Sequence, residues 1–62
     1  MSRDALYRAL EGIHNLYFDT LRFSQFMDLY LGYLKNERKV DPYYLTDAEF
    51  MSLLREYTEK KQ

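Results

Sequence analysis

A chain of 62 residues with no cysteine and a single histidine has no disulfide and no Cys/His metal site to hold it together. That lack constrains its fold more than any motif does. A domain this short buries only about 60% of the surface its unfolded chain exposes, so its stability margin is thin without a staple. Two routes remain: dense packing between helices, and association with another chain. The absence of cysteine also fits a reducing compartment.

The composition suits both routes. Seven tyrosines and four phenylalanines give eleven rings, and 47% of the residues are hydrophobic. Each buried ring covers roughly 150–250 Å². A core this small has difficulty hiding all eleven, so some rings are expected on the surface, where tyrosine is common at protein interfaces.

Apolar periodicity predicts three helices in one domain spanning 1–62, at about 3–17, 24–36 and 47–60. In the first, Leu6, Leu10, Ile13 and Tyr17 recur at helical spacing, Ser2 is placed to cap it, and Asp4 complements its dipole. The second is apolar nearly all round, from Phe26 through Tyr30 and Tyr33 to Leu34. A helix with so little polar surface is buried on several sides, which makes it the central element and the expected dimer contact. Asp41-Pro42 ends any continuation, because proline pushes its predecessor out of the α region. The third helix carries two superimposed start signals: Thr46 and Glu49 form a capping box, and Leu45 and Phe50 hold the positions of a hydrophobic staple. Between the last two helices stand Tyr43 and Tyr44. If that segment is extended, adjacent side chains point opposite ways, so one ring is expected in the core and the other outside.

Several chemistries are poorly supplied. Read as a twelve-residue calcium loop ending at Glu49, the segment from Arg38 puts Arg38, Val40 and Pro42 where oxygen ligands are needed. His14 lies three residues from Tyr17 but lacks the orienting third group and oxyanion site of a nucleophilic triad. Gly12 and Gly32 stand alone, so no phosphate-cradling loop exists. The expectation is a non-enzymatic protein without cofactor or metal. The longest apolar run, Phe26 to Leu34, is broken by Asp28 and is far shorter than the roughly 20 residues a membrane span requires. No signal-peptide pattern follows Met1, so the expected location is cytoplasmic.

Nucleic-acid binding is the main rival to protein binding. The formal net charge is −1, with no block of five like charges. The connection before the third helix is longer than the 3–4 residues of a helix-turn-helix, and that helix opens on Asp47 and Glu49, which repel phosphates. A different surface, Arg22, Lys35, Arg38 and Lys39 with neighbouring tyrosines, has the charge and rings to hold single strands.

The segments "LRFSQF" (Leu21–Phe26) and "DPYYLTDAEF" (Asp41–Phe50) carry a resemblance over Leu21–Tyr57. The pattern is an arginine with a glutamine shortly after it opening one helix, then a D-P-aromatic-aromatic run opening the next. It resembles small phage- and prophage-encoded helical proteins, most of which lack an assigned activity. The resemblance implies a mobile-element context in which such proteins bind a host or phage macromolecule.

Together these readings give an all-α, compact three-helix domain, expected to homodimerise through its central helix. The expected function is binding a protein partner, with Tyr30, Tyr33, Tyr43 and Lys39 as contact residues. A nucleic-acid-binding regulator using the basic 35–39 loop is the alternative, and a structural subunit of a larger assembly is the third reading.

Overall fold

Ser2 opens the first helix. Its Oγ accepts the Ala5 amide hydrogen at 3.2 Å, with Asp4 in the first turn, and α1 runs Arg3–Tyr17. The structure is a computed structural model and describes residues 2–60. Those residues form three α-helices and no strand, with α2 at Phe23–Asn36, a 3-10 turn at Pro42–Tyr44, and α3 at Asp47–Lys60. The radius of gyration is 11.1 Å, close to the about 10.6 Å of a compact chain this long.

The α1–α2 connection is short and tied down at both ends. The Phe18 amide donates to the His14 carbonyl at 3.0 Å, and the Leu21 amide to the Phe18 carbonyl at 3.0 Å. The His14 ring closes the loop, its Nε2 lying 2.6 Å from the Leu21 carbonyl oxygen. A carbonyl only accepts, so that nitrogen carries the hydrogen. α2 begins at Phe23, one residue earlier than expected, because Ser24 does not cap it. Arg22 holds the cap position, and Gln25 Oε1 accepts the Arg22 amide hydrogen at 2.8 Å.

Leu6, Phe26, Tyr30, Tyr33, Leu34, Met51, Leu54 and Tyr57 form the buried core. Rings from α2, α3 and the first loop meet there, with His14 of α1 beside them. Phe26 stacks on Phe18 and on His14, with centroids 4.7 and 5.1 Å apart, and Phe18 stacks in turn on Tyr57 at 5.8 Å. Tyr57 lies 4.8 Å from Tyr33 and 5.5 Å from Tyr30.

Two expectations about exposed faces need correction. Tyr17, on the apolar spacing of α1, is half exposed, on the rim of a depression it shares with Arg55, Thr58 and Glu59 of α3. α2 is not covered all round either: Phe23 and Leu29 are exposed on its outer side. Thr58 is buried, and its hydroxyl donates to the Leu54 carbonyl of its own helix at 2.8 Å, which satisfies it without an outside partner.

The capping box of α3 is formed in both directions. Thr46 Oγ1 accepts the Glu49 amide hydrogen at 3.1 Å, and Glu49 Oε1 accepts the Thr46 amide hydrogen at 2.9 Å. These bonds hold the Glu49 carboxyl below its ordinary range. Replacing Thr46 by alanine should therefore cost about 1 kcal/mol. Urea unfolding should show a lower midpoint with an unchanged slope.

Candidate functional site

The connection from α2 to α3, residues 37–46, is long but not loose. The Glu37 and Arg38 amides both donate to the Tyr33 carbonyl, at 2.9 and 3.2 Å, and the Val40 amide returns to the Leu34 carbonyl at 2.9 Å. Reversing the chain this sharply puts Lys39 at φ 58°, in the left-handed region that favours glycine. Arg38 is anchored to α3 by an ion pair with Glu56 at 3.2 Å. Glu56 is thus drawn towards Arg38, while Lys60, four residues on, places Nζ over the Tyr33 ring at 5.4 Å.

Asp41 starts the 3-10 turn much as a cap starts a helix. Its Oδ1 accepts the Tyr43 amide hydrogen at 3.0 Å, its carbonyl accepts that of Tyr44 at 3.2 Å, and Pro42 supplies a pre-set φ at the first position. Because the backbone turns instead of extending, the two tyrosines do not divide between core and solvent. Tyr43 is 85% exposed and Tyr44 79%. Their rings meet edge to face with centroids 5.0 Å apart. The expectation that one would be core is corrected by that turn. The signal for it was present: Asp followed by Pro is itself a helix-start pair.

Tyr30 and Tyr33, expected as contact residues, are also corrected. Tyr30 is fully buried, its hydroxyl donating to the Phe50 carbonyl, and Tyr33 is 5% exposed. They follow Phe26 and precede Leu34 at core-facing spacing on α2, so the aromatic excess is carried elsewhere. The exposed rings are Tyr7, Tyr17, Phe23, Tyr43 and Tyr44. Of the expected contact set, Tyr43 and Lys39 stay at the surface.

The basic set is split. Lys35 and Lys39 line one depression together with Val40 and Asp41. Arg22 stands at the opposite end of α2, about 20 Å away along a helix rising about 1.5 Å per residue, and Arg38 is engaged by Glu56. Among the described residues no group of three or more His, Cys, Asp or Glu side chains is placed to hold a metal ion. No helix among them is long and apolar enough to cross a membrane.

A further groove, of about 400 Å³, lies along α2 and was not anticipated from the sequence. Asp28, Leu29, Gly32 and Tyr33 line it, and Tyr57 of α3 closes one side. No protein-family model, curated protein or solved structure matches this chain.

Proposed function

We propose that this is a non-enzymatic protein-binding module whose contact surface is the Tyr43–Tyr44 pair with Lys39 at its base. The observation that carries this reading is that two adjacent rings stand in solvent on a segment pinned at Asp41, Val40 and Arg38. Tyrosine offers large contact area at low conformational cost, and a fixed backbone reduces the entropy lost on binding. Lysine at a left-handed φ, where glycine would be easier, is local strain of the sort that collects at binding sites. The module acts as a homodimer through α2, in the mobile-element context that the resemblance implies.

One observation favours a second reading. Lys35 and Lys39 share a depression a few residues from two exposed rings, which is the charge-and-stacking combination that holds single-stranded nucleic acid. Asp41 in the same depression and a net charge of −1 weigh against it.

Capture with the tagged chain, with and without nuclease, separates the two. A partner that survives nuclease and is lost with the double variant Tyr43→Ser/Tyr44→Ser, whose melting temperature should stay within a few degrees of the parent, is the expected result. Capture indifferent to that variant would reject the surface. Capture abolished by nuclease, and weakened by Lys35→Gln/Lys39→Gln, would select the nucleic-acid reading.

A further inference from the structure

Gly32 sits in the middle of α2, where glycine costs about 1 kcal/mol relative to alanine. Nothing inside the molecule requires it. A Cβ built there meets no atom within 4 Å, and its backbone is not at positive φ. The residue instead lines the groove along α2, beside Leu29, an apolar side chain that is 51% exposed.

The residues around Gly32 form a stripe at helical spacing. Asp28 and Lys35 are seven residues apart, as are Leu29 and Asn36, so each pair shares one side of the helix. Asp28 and Lys35 are exposed, and neither forms an ion pair among the described residues. Along the side that Asp28 and Lys35 share, the helix is acidic before Gly32 and basic after it, while Glu37, which also lines the groove, stands beside Tyr57 of α3. A partner of single charge sign meets one of the two unfavourably. A second copy running antiparallel meets both correctly.

From this we infer that α2 is self-complementary: two copies cross antiparallel at Gly32, and each Leu29 seats in the groove of the other. This rests on the dimeric reading above and specifies its geometry. With a two-fold axis at Gly32, Asp28 lies about 6 Å to one side along the helix, and the partner's Lys35 lies about 4.5 Å to the same side. The parallel arrangement would stack Asp28 and Lys35 each on its own copy and is disfavoured by charge. The missing Cβ lets the helices approach, and Leu29 fills the hollow beside Gly32. A standard interface of about 800 Å² per partner would take about a sixth of the 4661 Å² surface. One helix crossing covers less than that, so the dimer dissociates on dilution.

Sedimentation across a concentration series tests this. Asp28→Lys and Lys35→Asp should each weaken the dimer about tenfold, and the double swap should restore most of it. Gly32→Leu should abolish the dimer, while the dilute monomer melts no lower than the parent because the new side chain meets open space. A chain that is monomeric at every concentration would overturn both the dimeric reading and this face. A dimer that ignores all three substitutions would leave the dimeric reading standing and reject this face. Failure of the double swap to restore association would reject the antiparallel register.

Discussion

Phe26→Ala should leave most of the chain unfolded at 25 °C. Phe26 is fully buried, stacks on Phe18 and His14, and meets Phe23 edge-on at 6.4 Å. Truncating a buried phenylalanine costs about 3–5 kcal/mol through lost transfer energy and the cavity left behind. Stabilities of about 0.05–0.15 kcal/mol per residue give a chain of this length about 3–9 kcal/mol in all. An unstapled core this small rarely supplies more than about 3–5 kcal/mol of that, so one substitution removes most or all of the margin. The change also strips a ring from a stack that joins α1, the first loop and α2, and aromatic pairs contribute about 0.5–1.5 kcal/mol beyond their area. Far-UV circular dichroism should show the helical signal largely lost for Phe26→Ala and kept for Phe26→Leu. A helical Phe26→Ala chain with a cooperative melt near the parent's would show that the core is held elsewhere.

Raising the pH above 10 should unfold the protein in a cooperative step. Burial pushes Tyr30 well above the ordinary tyrosine value of 10, with further contributions from ionised Tyr33 and Glu56. Burial likewise raises Tyr57, aided by Glu37. A phenol whose folded value is raised stays protonated in the fold after it has ionised in the unfolded chain. The stability it contributes is complete below pH 10 and falls as pH rises beyond it. A tenfold difference in proton affinity between folded and unfolded chain corresponds to about 1.4 kcal/mol, so the margin of so small a domain is soon consumed. The chemistry at Tyr30 is direct: its hydroxyl donates to the Phe50 carbonyl, and ionisation would leave two oxygens facing each other. Circular dichroism followed against pH, beside the tyrosinate absorbance, should show helix loss coinciding with ionisation of the buried rings. Tyr30→Phe should lower stability at neutral pH and make the alkaline loss less steep. A helical signal that stays flat while all seven tyrosines ionise would overturn this account.

The helices were legible because local rules point the same way as tertiary packing. Ser2 before Asp4, and Thr46 three residues before Glu49, are hydrogen-bonding patterns that close without help from the rest of the chain. Surface exposure was less legible. Counting rings correctly indicated that some must face solvent, but a count does not say which. The excess of rings over what a small core can hide points Tyr30 and Tyr33 outward, whereas their spacing from Phe26 and Leu34 puts them inward. An extended segment would send Tyr43 and Tyr44 to opposite sides. Asp41 and Pro42 make it a turn instead. The groove beside Gly32 depends on α3 lying where it does, and no window of α2 alone reveals that Tyr57 stands opposite it.

Tyr57 has a consequence for how the molecule comes apart. It reaches from α3 to Phe18 at the end of α1 and to Tyr30 and Tyr33 on α2. Phe18 leads on to Phe26, and Phe26 to His14, whose ring holds the loop at Leu21. No helix can detach while its neighbours keep their ring contacts intact. The domain therefore opens as one body, and amide protons in the centres of α1, α2 and α3 share a single protection against exchange with solvent, set by the free energy of global unfolding.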